Sequence, residues 1–179
     1  LLFTGVAGAL DPALSVGDVI VADVTWQHDM DARPLIERHE IPLLGRAAVR
    51  TDPALTRALA EAARTFLEND PDAGLGADTR VRFGIEAPRA IVGGVASGDR
   101  FVHAPGDADD IRARLPEARC VEMEGAAVAQ VCTAFEVPFA LVRTISDGAD
   151  ESAPVDFPRF VTEVARTYSL GIVGTWLER

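Results

Sequence analysis

The sequence predicts an α/β domain in which a central, mixed and mostly parallel sheet is flanked by helices. Strand-like and helix-like segments alternate along all 179 residues, and such alternation is typical of this fold class. The apolar run at 139–142 is continuous and follows Pro138, as expected of a strand that is buried on both faces. An apolar fraction of 48% is ordinary for a globular protein. Because a chain of this length fits one domain, we expect residues 1–179 to form a single one.

The first half of the chain is predicted to contain two strands and one helix. Residues 1–4 lead into a glycine-rich turn, and residues 18–24 are rich in Val and Ile, which favour strands. Residues 33–50 contain two prolines and no sustained period, so we expect irregular structure there. Asp52 and Pro53 then form a typical helix start, with an aspartate N-cap and proline at the first helical position.

The second half is predicted to add strands and helices in alternation. We interpret residues 80–85 and 90–97 as strands and residues 107–115 as a short helix. A helix follows at 125–132, where small and apolar residues are strong helix formers. The last helix is expected from about Phe157 to Leu177, since apolar side chains there lie on one broad face.

Charge and composition exclude several classes of partner. A net charge of −11 repels polyanions, so nucleic acid and anionic membranes are poor partners, and a small neutral or cationic ligand fits better. Cys120 and Cys132 lack metal-type spacing, and His28, His39 and His103 fit no ligand pattern. We therefore expect no metal and no cofactor, and interpret these histidines as surface or structural residues. With no transmembrane stretch or signal peptide, the protein is expected to be cytoplasmic.

Two acidic blocks follow apolar runs, at 121–124 and at 143–147. Glu124 precedes a run of helix formers, and Asp147 would emerge from the carboxyl end of a buried strand. Such strand ends form ligand crevices in parallel sheets, so the two blocks are predicted to share one active site. Local context alone equally allows ordinary roles, with the glutamate as a helix cap and the aspartate as a turn former.

Five blocks together resemble the nucleoside phosphorylase and nucleosidase superfamily, and most closely the methylthioadenosine/S-adenosylhomocysteine nucleosidases. In chain order the blocks are Thr4–Leu10, Val16–Asp23 with His28–Asp29, Ser97–Phe101, Glu122–Glu124 and Ser146–Asp147. The glycine turn in the first block lacks the spacing of a dinucleotide fingerprint and the lysine of a P-loop. The resemblance implies a nucleoside phosphorylase-like fold and the cleavage of an adenine nucleoside.

The resemblance also implies roles for individual residues. Asp147 would protonate the purine, with Ser146 holding its geometry and Arg143 pairing with a site carboxylate. Glu124 would bind the ribose hydroxyls and Met123 would pack against the sugar. Phe101 would stack on the base, and Val102 would contact the purine edge with its backbone. Ala7 and Gly8, in the glycine turn, would also bind the base.

Departures from the family pattern leave several points open. Family members carry further strands, and a carboxylate that activates the attacking water, before the block that starts at Thr4, so we expect the amino-terminal part of the domain to be absent from this chain. The segment 30–42 also differs from the commoner family members. In the family it lies at a homodimer contact beside the 5′ substituent of the substrate. A purine phosphorylase, a futalosine hydrolase and an inactive nucleoside-binding relative remain alternatives.

Overall fold

The computed structural model describes residues 1–70, 72–104, 106–149 and 153–178, and for residues 153–156 it describes the backbone alone. In chain order the strands are β1 (Leu2–Ala9), β2 (Val19–Gln27), β3 (Ala48–Arg50), β4 (Ala90–Ser97), β5 (Ala118–Glu122) and β6 (Ala140–Asp147). The helices are α1 (Pro53–Asn69), α2 (Ala77–Phe83), α3 (Asp107–Arg114), α4 (Gly125–Ala134), α5 (Ala153–Phe160) and α6 (Arg166–Leu177), with a π-helical segment (Val161–Ala165) between the last two. The predicted α/β class is confirmed. Within the described ranges no helix is both long and apolar enough to cross a bilayer.

The strands form a mixed sheet that closes on itself. Its order is β3-β2-β4-β5-β1-β6, and β2 also pairs with β6, which gives a barrel-like arrangement. The ladders β1–β6, β2–β4 and β4–β5 are parallel, whereas β1–β5, β2–β3 and β2–β6 are antiparallel. The parallel ladders contain most of the paired residues, as the sequence predicts.

The carboxyl ends of four strands meet at one end of this barrel. Gly8 of β1 pairs with Val121 of β5 and with Asp147 of β6. The end of β4 lies beside the end of β5, because Ser97 pairs with Glu122. Residues that directly follow these strands are therefore neighbours in space although they lie far apart in the sequence.

Among the described residues, four clusters of buried side chains hold the barrel and its helices together. Helices α1 and α6 pack on β2 and β6, and the buried ring of Tyr168 meets Phe66 edge-on with centroids 5.7 Å apart. A second cluster contains only strand residues, namely Ala7, Ile20, Ala22, Val95, Cys120, Leu141 and Ile145. The first six residues of β6 are all buried, as expected of a strand covered on both faces.

Helix α1 begins where the sequence predicts. One carboxylate oxygen of Asp52 accepts hydrogen bonds from the amides of Ala54 and Leu55, both at 2.9 Å. Pro53 occupies the first helical position, where a backbone N–H would have no acceptor within the helix, so its absence costs no hydrogen bond. The preceding segment 33–50 is irregular apart from the three-residue strand β3 at its end and an isolated bridge.

The prediction of a strand at 80–85 is wrong, because these residues belong to helix α2 and its end. The amide of Gly84 donates to Val81 at 3.3 Å and the amide of Ile85 donates to Arg80 at 2.9 Å, which closes a helix. Polar and apolar residues alternate here as in a strand, but no residue of α2 is buried and the Val81 side chain is 83% exposed. The alternation of polar and apolar residues at 80–85 therefore does not mark a strand with one buried face.

The last helix is longer and less regular than predicted. It begins at Ala153 instead of about Phe157, and its α-helical pattern is interrupted by the π-helical segment. Pro158 lies inside α5, where it cannot donate a backbone hydrogen bond. The predicted apolar face is nevertheless used, since Phe160, Val164 and Ile172 are fully buried against the barrel.

Candidate active site

A cleft lies where the carboxyl ends of β1, β4, β5 and β6 meet. The space inside it, together with the part that opens to solvent, is about 480 Å³. Its lining residues are Val6, Ala7, Gly8, Arg100, Phe101, Val102, Val121, Glu122, Met123, Glu124, Ser146, Asp147 and Phe157. Every site residue predicted from the sequence is among them except Arg143. The structure thus brings the two acidic blocks and the glycine turn into one cavity.

Asp147 lies half-buried at the end of β6 with both carboxyl oxygens in hydrogen bonds. The Ser146 hydroxyl donates to one oxygen at 2.6 Å, and the amide of Ala149 donates to the other at 2.8 Å. Across the cleft floor, a Cβ at Gly8 would lie only 2.8 Å from an oxygen of Asp147. Glycine at position 8 therefore allows the strand β1 to approach this carboxyl group closely.

Glu124 occupies the N-cap position of helix α4, but its side chain makes no capping hydrogen bond. Its carboxylate is exposed and has no hydrogen-bond or ion-pair partner among the residues that the structure describes. Met123 beside it is 39% exposed at the cleft wall. This carboxylate is free to bind a ligand, near the positive end of the helix dipole.

Arg143 and Glu122 form a buried ion pair behind the cleft wall. The Nε and Nη2 atoms of Arg143 both contact one oxygen of Glu122, at 3.0 Å and 2.6 Å. The two side chains are only 1% and 2% exposed, so each neutralises the other away from solvent. The arginine also stacks over Phe3, 4.3 Å from the ring centroid. Arg143 therefore pairs with a site carboxylate, but it does not itself line the cleft.

Two aromatic rings form the wall opposite the acids. Phe101 is 38% exposed, and its ring meets that of Phe157 edge-on with centroids 5.7 Å apart. Both rings line the cleft, and Val102 lies buried next to them. An exposed aromatic face of this kind can hold a planar ring by stacking.

Comparison with known proteins identifies the family of this chain. Residues 1–178 match the sequence model of the phosphorylase superfamily. The chain belongs to that superfamily. A 5′-methylthioadenosine/S-adenosylhomocysteine nucleosidase of Mycobacterium tuberculosis is 36% identical over 174 residues, which are 92% of this chain and 65% of the relative. The corresponding protein of Geobacillus thermodenitrificans is 34% identical over 91% of this chain and 61% of its own length. This phosphorylase-superfamily chain thus spans less than two thirds of these relatives.

Solved structures give the same assignment. The nucleosidase of Neisseria meningitidis in complex with methylthio-immucillin-A has a TM-score of 0.79 and 34% identity, and the match covers 98% of this chain and 68% of that one. The futalosine hydrolase of Helicobacter pylori has a TM-score of 0.76 and 30% identity over 99% of this chain and 66% of that one. The resemblance to the methylthioadenosine/S-adenosylhomocysteine nucleosidases seen in the sequence is confirmed.

Five lining residues of this superfamily member were not assigned to the site from its sequence, and two of them, Val6 and Val121, are apolar strand residues next to the predicted ones. Glu122 lies two positions before Glu124 in the same acidic block, and the sequence does not tell which of the two is buried. Phe157 comes from the last helix, where its apolar neighbours predict a purely structural role. Arg100 directly precedes Phe101, the aromatic residue predicted to stack. This adjacency is the one sequence feature that could have identified Arg100 as a site residue.

The histidines divide into two buried residues and one exposed residue. His28 and His39 are buried, and burial lowers the pKa of both imidazoles. His103 is exposed beside Phe101.

The loop after β2 is joined to the loop after β4, because the Asp29 carboxylate accepts a hydrogen bond from the amide of Asp99 at 2.7 Å. Across the described ranges, no three His, Cys, Asp or Glu side chains group as metal ligands would.

Proposed function

We propose that this protein hydrolyses the N-glycosidic bond of 5′-methylthioadenosine, S-adenosylhomocysteine or a related adenine nucleoside and releases adenine. The observation that carries the proposal is the meeting of Asp147, Glu124 and the exposed Phe101 ring in one cleft, at the ends of different strands. The nucleosidases of Mycobacterium tuberculosis and Neisseria meningitidis, to which the chain is similar, support it.

Asp147 would act as the general acid for the leaving base. When the bond between the sugar and the purine breaks, its electron pair remains on the base. A proton from Asp147 to a nitrogen of the imidazole ring neutralises that charge, and such catalysis contributes about 10²- to 10⁴-fold in rate. Water supplies the hydroxyl group that the sugar carbon gains, and the proton that this water loses passes to solvent, from which Asp147 is protonated again. The bonds from Ser146 and Ala149 hold the carboxyl group in a fixed orientation.

Glu124 would stabilise the sugar as it gains positive charge. Glycosyl transfer passes through an oxocarbenium-like transition state, which a nearby carboxylate and hydrogen bonds to the ribose hydroxyls stabilise. Because the Glu124 side chain does not cap its own helix, its carboxylate is available for these hydroxyls. Met123 would pack against the apolar face of the sugar.

The purine would lie on the aromatic wall. Phe101 would stack on the base, Phe157 would support that ring edge-on, and the backbone of Val102 would contact the purine edge. On the opposite side, Ala7 and Gly8 would approach the base with their backbone. In this arrangement the imidazole ring of the purine would lie near Asp147.

Hydrolysis is favoured over phosphorolysis by the charges in the cleft. A phosphate co-substrate needs several cationic groups, whereas Arg100 is the one cation among the described lining residues. The charge of Arg143 is already matched by Glu122 and is buried. Water is therefore the better-supported nucleophile.

The test measures adenine release from 5′-methylthioadenosine by the natural protein that carries this chain, with and without phosphate. Adenine release without phosphate supports the proposal. Release that requires phosphate would identify a phosphorylase, and binding of the nucleoside without release would identify an inactive relative. Each of the last two results overturns hydrolysis as the function.

Futalosine hydrolysis is the second candidate, since the Helicobacter pylori futalosine hydrolase matches 99% of this chain with a TM-score of 0.76. Measuring kcat/KM for futalosine and for 5′-methylthioadenosine decides between them, and a higher value for futalosine would replace the first candidate.

We further propose that residues 1–179 belong to a single domain of a cytoplasmic homodimer. Leu35, in the segment 30–42, is 87% exposed, which suits a residue at a contact between subunits. Cys120 and Cys132 are buried and unpaired, in keeping with a reducing compartment. Sedimentation equilibrium tests the assembly, because a monomeric mass at micromolar concentration would contradict it.

A further inference from the structure

The Glu122 carboxylate is the most heavily hydrogen-bonded acid at the cleft. One oxygen accepts the Ser97 hydroxyl and the amide of Gly125 at 2.9 Å. The other accepts the amides of Glu124 at 3.2 Å and Gly125 at 2.8 Å, in addition to the two contacts from Arg143. A carboxylate with this many donors has little freedom to move and little capacity left for a ligand.

These hydrogen bonds surround Met123 and Glu124, the two residues that would face the ribose in the proposed function. Met123 and Glu124 form the turn between the end of β5 and the start of α4, and the Glu122 carboxylate binds the amides at 124 and 125. The Ser97 oxygen extends the same network, because it accepts the amide of Ala126 at 2.8 Å. The first amides of α4, which have no helical partner, are thus bound by a side-chain network.

Close packing also fixes Glu122. A Cβ at Gly125 would lie 3.1 Å from the Glu122 oxygen and 2.8 Å from Leu141. A larger residue at 125 would therefore push the helix start away from the carboxylate. On its other side the network reaches β6 through Arg143, three residues before Ser146 and four before Asp147.

We infer that Glu122 is the positioning residue of the cleft, which orients the Glu124 carboxylate toward the ribose hydroxyls through the amides of the β5–α4 turn and through Ser97. The inference rests on the proposed function, in which Glu124 binds the ribose. Although Glu122 is a lining residue, its side chain is only 2% exposed and both of its oxygens are hydrogen-bonded, so it would act on the substrate only through Glu124. The loss of Glu122 would therefore reduce the ability of the site to distinguish a ribose from a sugar that lacks the 2′ and 3′ hydroxyls.

The test compares kcat/KM for 5′-methylthioadenosine with that for its 2′,3′-dideoxy analogue, and uses the ratio of the two values as the readout. Glu124→Ala should remove most of the preference for the ribose substrate that this ratio measures. Ser97→Ala and Glu122→Gln should each lower it about tenfold, because a hydrogen bond to a charged group is lost at the turn. Ser97→Ala added to Glu124→Ala should cause no further decrease, since both act on the same contact.

Asp52→Ala is the matched control. Asp52 is also a carboxylate that binds the first amides of a helix, those of Ala54 and Leu55, but its own amide donates to Phe139, at the other end of β6 from Asp147. It should lower stability and leave the ribose ratio unchanged. Ser97→Ala retains the charge of Glu122, so it tests the inference even where Glu122→Gln does not fold.

The inference and the proposed function fail in different ways. If the wild type releases adenine but Ser97→Ala and Glu122→Gln slow both substrates equally, Glu122 is only structural and the inference is overturned. If the wild type cleaves neither substrate, hydrolysis is overturned, and the same ratio is then measured as Kd for adenosine against 2′,3′-dideoxyadenosine. An unchanged Kd ratio in Ser97→Ala, or no binding of adenosine at all, also overturns the inference.

Discussion

Replacing Gly8 by alanine should damage the cleft without disturbing the fold. The added Cβ would lie 2.8 Å from an oxygen of Asp147 and 3.0 Å from the Cβ of Ala149. The β1–β6 register shifts between Ala7 and Gly8, but φ at Gly8 is not positive, so alanine causes no conformational strain there. To reach ordinary contact, the carboxyl group must retreat by about 0.6 Å, since van der Waals contact begins near 3.4 Å.

That displacement sets the expected loss of activity. A catalytic group misplaced by 1 Å loses about 10²-fold in rate, so a shift of about half that size should lower kcat/KM about tenfold. Adenine release and the thermal midpoint are measured together. Gly174→Ala is the control, because a Cβ at Gly174 has open space around it and should leave kcat/KM unchanged. A Gly8→Ala variant with wild-type kcat/KM would refute the argument that β1 fixes the position of Asp147.

Three further predictions concern the acid, the aromatic wall and the buried histidines. Asp147→Asn should lower kcat about 10²- to 10⁴-fold with little change in the unfolding midpoint, because the amide cannot donate an acidic proton. Phe101→Leu should raise KM for 5′-methylthioadenosine about 2- to 10-fold, as expected for loss of an aromatic contact of about 0.5–1.5 kcal/mol. The free energy of unfolding should fall as the pH drops below 6.5, the ordinary pKa of histidine. Burial lowers the pKa of His28 and His39 in the folded state, so the unfolded chain binds protons that the folded chain does not.

Each of these predictions has a control and a contradicting result. Asp109→Asn removes an exposed aspartate of α3 and should keep kcat, while near-normal turnover by Asp147→Asn would remove that residue from the mechanism. An unchanged KM in Phe101→Leu would mean that the base does not stack there. For the histidines, urea midpoints at pH 7.5 and 5.5 are compared. His28→Gln should reduce the difference and the exposed His103→Gln should not, and equal differences in both would contradict the assignment.

The sequence predicted the parts of the fold that local chemistry determines. The buried strand β6 follows from a continuous apolar run, and the start of α1 follows from Asp52 and Pro53, because both signals lie within a few residues. The two acidic blocks lie at strand ends for the same reason. The roles of Glu124 and Asp147 came from the resemblance and remain predictions.

Other features depend on contacts between distant segments and could not be predicted. The closure of the sheet depends on pairing of β2 with β6, whose residues are separated by more than half of the chain. Glu122 and Glu124 lie two positions apart in the same acidic block, and the sequence does not tell which of them is buried. The turn after β5 buries the Glu122 carboxylate and exposes the Glu124 carboxylate. At residues 80–85 polar and apolar residues alternate as in a strand, but the segment is helical, so Phe83 and Ile85 pack on the core while Val81 is exposed.

The contact between β1 and β5 is short, since only Gly8 with Val121 and Ala9 with Cys120 are paired. The longer parallel ladder between β1 and β6 begins at Leu2 and runs along the barrel. The seam is closed beyond these pairs, because the amides of Leu10 and Asp11 both donate to the carbonyl of Arg119 at 2.9 Å and the Asp11 carboxylate forms an ion pair with Arg119. The mouth of the cavity, lined by Gly8 and Val121, is therefore braced by contacts that lie just outside it.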